Sequence, residues 1–284
     1  MLGRPAPKKV RPKQGVVFAI AEGLIELTGR LQRHEVLAES GKVAFYVFLA
    51  ILPALAAFAF FSSMLGEADE LTLSVPALSV ILPQPVAMLL AEHATRLAGE
   101  AAASAGIAGL VSFALVLFSA SSGVMALCDG LNVAFERTET RSLIRLRVRG
   151  LVITLIVVVA AAAIIAAIGR LQSIALGYGV PGAVLDWMRW PLVTLLAAIA
   201  LAAIYRHGPD RPRRPASWIT IGSLIGAVLW VGASHALGWY LTTFPGFGVV
   251  YGSLATLAGF LFWVWLGSIA VLTGAEIDAV REGL

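Results

Sequence analysis

The chain has 284 residues, 59% of them hydrophobic and only 13% charged, and its mean hydropathy of +0.87 excludes a water-soluble globular domain, because soluble domains carry about a quarter charged residues. A single cysteine, Cys128, excludes an intramolecular disulfide, and four scattered histidines offer no zinc-ligand spacing. In so apolar a chain the net charge of +4 bears on membrane topology rather than on nucleic-acid binding.

Residues 1–15 are rich in Pro, Lys and Arg and predict a disordered basic tail, and residues 16–284 read as a single membrane domain. No signal peptide is expected, because the apolar stretch Val16 to Ala21 runs straight into Glu22 and Glu26. Val17, Ile20, Leu24, Leu27 and Leu31 recur at spacings of three and four, with Glu22, Glu26, Arg30 and Arg33 on other faces. This is the pattern of an amphipathic helix lying at the membrane interface or against a bundle. Six apolar runs follow, at about 43–65, 106–128, 151–168, 190–205, 218–241 and 251–273, each close to the length that a roughly 30 Å hydrocarbon slab demands of a helix. Only helices and closed barrels satisfy their backbone in lipid, and no short alternating strands are visible. The fold class is therefore all-α, a polytopic transmembrane bundle.

Between these runs the first outer loop, 66–104, opens with Glu67, Asp69 and Glu70 and passes Pro76, Pro83 and Pro85. From Val86 it predicts a short amphipathic helix with Leu89, Leu90, His93 and Leu97 on one broad face. Asp129 to Phe135 continue the second span's helical pattern beyond the membrane. The loop 177–186 is rich in glycine and turn-forming, and the uncharged aromatic loop 242–250 is expected to fold back into the bundle. With the amino terminus in the cytoplasm, 18 Lys and Arg residues fall inside and three outside, Arg96, Arg170 and Arg189, so the positive-inside rule places both ends in the cytoplasm. Arg141, Arg145, Arg147, Arg211, Arg213 and Arg214 are then the candidates for contact with anionic lipid headgroups.

Polar groups within apolar runs need partners. Ser119 and Ser122, with Asn132 beyond them, share helical spacing and form either a polar wall for cargo or a small-residue packing face. His235 in the fifth span either titrates or is satisfied by a neighbouring carbonyl. Tyr251 opens the sixth run and completes the candidate cargo-binding set. Pro53 is expected to kink the first span, as a gate or as a fixed shape. Gly222 and Gly226 predict close helix packing. Glu276 and Asp278, just past the last span, are expected to pair with loop arginines such as Arg147 or Arg213. No phosphate-cradling loop, His-Glu-x-x-His or nucleophile elbow is present, and no cofactor is indicated. The expected partners are membrane lipids, a second copy of the chain or an envelope protein, and not nucleic acid.

The ordered set Ala44-Phe45-Tyr46 through Leu52-Pro53, Phe118-Ser119-Ala120-Ser121-Ser122-Gly123 with Leu131-Asn132, the Tyr205 to Arg214 loop, Tyr251-Gly252-Ser253-Leu254 and Leu272-Thr273-Gly274-Ala275-Glu276-Ile277 resembles the YihY/virulence factor BrkB family, whose members were formerly called ribonuclease BN-like. The family often has a basic residue where Ser122 stands and an Asn-rich stretch where Phe247 to Val250 precede Tyr251. The resemblance implies a bacterial inner-membrane protein with six spans and both ends cytoplasmic. Transport of a small solute, ion or lipid is the function expected, with a non-transporting envelope scaffold as the alternative.

Overall fold

A computed structural model describes residues 16–64, 107–142, 144–154, 181–211, 218–244 and 254–283, with Met88 and Tyr178 as isolated positions. The basic tail, most of the first outer loop with its expected short helix, residues 155–168, Arg213, Arg214 and Tyr251 lie outside the described residues. The described chain is helical: α1 (Val16–Arg33), α2 (Val36–Met64), α3 (Ile107–Ala134), a helical segment at 144–154, α4 (Gly182–His207), α5 (Ile221–Thr243) and α6 (Ala255–Glu282). Among the described residues three stretches, Trp190–His207, Ile221–Thr243 and Leu257–Glu282, are long and apolar enough to cross a membrane. The two earliest expected spans coincide with α2 and α3, and α2 is helical on both sides of Pro53.

The helices outrun their apolar runs. α4 begins at Gly182, eight residues before the expected span, and α6 continues to Glu282, where Gly283 closes it in the left-handed conformation at φ 74°. Helix need not stop where lipid stops; it persists while its outer turns have partners, and α6 carries Glu276 and Asp278 into buried contacts there.

α2 pairs mainly with α3, α6 with α5 and α2, and α4 with α5, while α1 lies across α6 and α2. One hydrophobic cluster ties these together, with Val36 from α2, Leu131 from α3 and Phe135 just past its end, Leu201 and Tyr205 from α4 and Leu272 from α6. The approach of α5 to α6 depends on glycine. A Cβ at Gly222 would strike the Gly274 carbonyl and the Asp278 carboxylate, and one at Gly274 would lie 2.5 Å from the Tyr205 hydroxyl. That hydroxyl donates to the Val271 carbonyl at 2.5 Å. Gly222 and Gly226 thus form the packing face expected of them.

The sidedness of α5 inverts that of a soluble helix. Gly222, Ser223, Gly226 and Ala227 face inward, while Ile221, Leu224, Ile225, Val228 and Leu229 face outward. In water this arrangement would be costly; in lipid the outward aliphatic chains lose nothing, and the small residues bring backbones together.

Candidate functional site

Three polar constellations and two apolar clefts are arranged on this frame. Two of the constellations lie where the arginine-bearing loops return, the basic end of the bundle.

At the first, Arg30 of α1 is 2% exposed and reaches Glu276 of α6, 0% exposed, with Nε donating to Oε2 at 2.8 Å. Arg30 also donates to Glu136 Oε1 at 2.9 Å and to the Ala134 carbonyl at 2.9 Å. His34 Nδ1 sits 2.5 Å from the other Glu276 oxygen. Glu136 occupies the left-handed region at φ 51°, just after α3. There its amide donates back to Val133 O and the next amide, of Arg137, to Asn132 O, which closes the helix. The partner of Glu276 is therefore Arg30 and His34, not a loop arginine. Asp278 likewise serves the N-terminus of α5: it accepts from the Gly222 amide at 2.8 Å and from the Thr220 hydroxyl, while Thr220 and Ser223 form a capping box.

The second constellation ties the α3 and α4 ends together. Asn132 Oδ1 accepts from the Asp210 amide at 2.7 Å, and its Nδ2 donates to Glu139 at 3.0 Å. Asp210 accepts from the Thr140 hydroxyl at 2.5 Å, the Thr140 amide at 3.1 Å and Arg141 at 3.0 Å. The two Thr140 bonds, with Arg141 beside them, hold the Asp210 carboxyl below the usual carboxylate range. Arg141 also donates to the carbonyls of Gly208 and Pro209. Both ends of the Asn132 amide are thus used by the protein, away from Ser119 and Ser122.

In the third, Arg147 of the 144–154 segment donates from Nη1 to Ser121 Oγ at 3.2 Å and Ser122 Oγ at 3.0 Å. Its guanidinium carbon lies 4.1 Å from the centre of the Phe118 ring. Gly150, one turn on, permits this contact: a Cβ there would lie 2.9 Å from Met125 Cγ. Ser119 is half-buried next to this group.

The arginines expected to meet headgroups therefore divide. Arg145 is exposed and, among the described residues, donates only to Ser142. Arg211 stacks 3.9 Å over Phe135 and pairs with Glu282, and Arg141 and Arg147 are bound as described. His235 is exposed; its Nδ1 is 2.9 Å from the Val231 carbonyl, and its ring is 3.9 Å from that of Trp190. Sequence reading missed Arg30 and Trp265 as structural groups: Arg30 read as part of the charged side of α1, and Trp265 was marked by nothing more than an indole at mid-helix.

The clefts are apolar. One of about 300 Å³ lies between α2 and α6, lined by Gly41, Ala44, Phe45, Leu261, Phe262 and Trp265, with the Trp265 indole N–H donating to the Leu37 carbonyl at 3.1 Å. Another, of about 450 Å³, lies between α4 and α5 beside Trp190, Pro191 and Leu224.

Long helices with inward small residues, outward aliphatic ones and charged groups gathered at their ends define an integral helical membrane protein. The chain belongs to the Virulence factor BrkB family, whose model matches residues 27–283. It is similar to the ribonuclease-like protein YfkH of Bacillus subtilis (strain 168), 27% identical over 269 residues that cover 90% of this chain and 94% of YfkH. It is also similar to a UPF0761 membrane protein of Alkalilimnicola ehrlichii, 27% identical over 266 residues, 87% of this chain and 55% of that protein. A UPF0761 membrane protein of Histophilus somni (strain 2336) is 46% identical over 59 residues, 21% of this chain and 20% of its own length. No solved structure matches the chain.

Proposed function

We propose that this is a six-span protein of the bacterial inner membrane, with both termini cytoplasmic, that moves an amphiphile through a lateral apolar cleft. The orientation rests on the 18-to-three partition of basic residues. The cargo class rests on the α2–α6 cleft, which carbon lines almost throughout. Ser122 and Asn132, two of the side chains expected to hold a polar solute, are engaged with Arg147, Asp210 and Glu139, and that favours a lipid-like cargo. With no nucleotide-binding motif in the sequence, an uphill step needs an ion gradient or a partner protein.

No catalytic role is assigned. His207 and Asp210 stand nearest the loop arginines, but the His207 ring nitrogen lies 2.9 Å from the Ala203 carbonyl and Asp210 is bound by Thr140 and Arg141. A hydrolase needs a positioned base free to take a proton. The ribonuclease-like name belongs to YfkH.

Reconstitution tests the reading. Gly41 lines the cleft and has open space where a Cβ would stand, so Gly41→Phe narrows the cleft. Proteoliposomes carrying fluorescent phospholipid should show faster inner-to-outer exchange than protein-free vesicles, and Gly41→Phe should slow it. Exchange no faster than in empty vesicles would leave the non-transporting scaffold.

A further inference from the structure

We propose that Arg147, pinned by Ser121 and Ser122 against Phe118, is a binding site for a phosphoryl group, most readily that of a phospholipid headgroup. The site rests on the membrane placement proposed above but not on translocation, and it is separate from the cleft, since Gly123 of α3 packs on Val47 of α2 while the cleft opens between α2 and α6.

The position of the charge carries the inference. An arginine near a membrane boundary ordinarily snorkels, extending its head toward water. Arg147 does the reverse. It follows the arginine loop at the basic end, yet its guanidinium lies over Phe118, ten residues and so about 15 Å up α3 from Cys128, where the expected span ends. A cation at such depth is costly unless an anion answers it, and two serine hydroxyls are neutral. Among the described residues no carboxylate pairs with Arg147, in contrast to Arg30, Arg141 and Arg211.

The donor set is half used. A guanidinium presents five N–H groups in a planar fork, and the serine bonds take Nη1 alone. Nε and Nη2 have no partner among the described residues. Stacking on Phe118 and the serine bonds fix the plane, so ordering is already complete before a ligand arrives. Such a fork matches two oxygens of a phosphoryl group. The surroundings select the source: Phe118 is 52% exposed, and Ile144 and Val148, one turn before and next to Arg147, are also exposed. A charged fork with apolar side chains around it suits an anionic head with acyl tails.

The full-length protein, purified in a neutral detergent, is titrated with dioctanoyl phosphatidylglycerol, dioctanoylglycerol and inorganic phosphate, with bound ligand counted by native mass spectrometry. Phosphatidylglycerol should bind and dioctanoylglycerol should not. Arg147→Gln should weaken binding about tenfold or more, as expected for loss of a charge-assisted bidentate contact. Ser121→Ala with Ser122→Ala keeps the charge and frees the fork, and should give an intermediate loss. That double variant also carries the test should Arg147→Gln fail to fold. Arg281→Gln, an exposed charge on α6, controls for net charge and should bind as the parent does. Displacement of the lipid by millimolar phosphate would support the site with a soluble phosphate as its ligand; failure to displace would support the headgroup. Equal binding of dioctanoylglycerol, or unchanged affinity in both Arg147→Gln and the serine double variant, would overturn the proposal. Lipid binding without lipid movement would refute the transport reading and leave this site standing.

Discussion

Replacing Glu276 by alanine strands Arg30. The guanidinium is 2% exposed and its main counter-charge is completely buried, and breaking such a pair by removing one partner costs about 3–5 kcal/mol. Arg30 would keep the Ala134 carbonyl and the half-exposed Glu136, which places the cost at the lower end, about 3 kcal/mol. Only α1 needs to move for the stranded charge to reach water, so the loss should appear as local opening of α1 rather than as collapse of the bundle. At 1.4 kcal/mol per decade, about 3 kcal/mol is roughly a hundredfold in the opening equilibrium. Hydrogen exchange of the protein in nanodiscs reads it directly: amides of α1 should lose about two decades of protection in Glu276→Ala, while those of α5 stay unchanged. The double variant Arg30→Met with Glu276→Leu removes both charges and should recover most of the protection, since apolar replacement of a buried pair is often neutral. Unchanged α1 protection in Glu276→Ala, or a double variant as open as the single, would refute the claim that this pair docks the helix.

Gly222→Ala should destabilise the α5–α6 contact by about 1–3 kcal/mol through overpacking, whereas Gly232→Ala, with nothing within 4 Å of the added carbon, should be neutral or slightly stabilising; thermal unfolding followed by tryptophan fluorescence compares the two. Asp210 should hold Thr140 in a pH-dependent way. Its carboxyl is depressed in the folded protein, so its contribution is fully present above the ordinary value of 3.8 and is lost only as pH falls through the lower folded value. Protection of the Thr140 amide should therefore survive at pH 5, about one unit above the ordinary 3.8, and be lost only in more acid solution; Asp210→Asn should weaken it at every pH, and a loss already complete at pH 5 would contradict the assignment.

The hydrophobic pattern located the long helices and much of the sidedness of α1, where Leu31 packs against the core and Glu22, Glu26 and Arg33 stay exposed, but it misplaced Arg30 and Leu24. On α1 the spacing of Leu24, Leu27 and Leu31 put Arg30 on another face. In the structure Arg30 is buried and Leu24 is exposed. A hydrophobic stripe separates inside from outside only where the outside is water; where lipid is the alternative, an outward leucine gives up little. A buried carboxylate such as Glu276 has no such alternative and must find a cation. It finds one 246 positions away in the chain, and no local spacing rule registers such a pairing. The same reasoning explains α5, whose Gly222 and Gly226 were legible as a packing face because small residues mark helix contacts in lipid directly.

Counting basic residues treats each as one vote for the cytoplasmic side, and the rule works because most arginine heads stay near the boundary. Arg145 behaves that way: it is exposed and, among the described residues, bonded only to Ser142. Arg30 and Arg147 carry the same vote yet turn inward, the first toward a buried carboxylate and the second toward two serines with no counter-charge among the described residues. Ser122 read as part of a polar wall or a packing face in α3, and Arg147 as one of several loop cations at the headgroups; that the two meet depends on Gly150 letting the 144–154 segment press against α3. A polar site in a membrane protein is therefore poorly marked by its own residue types. What marks it is a charge whose depth the rest of the bundle does not explain, and Arg147 is that charge.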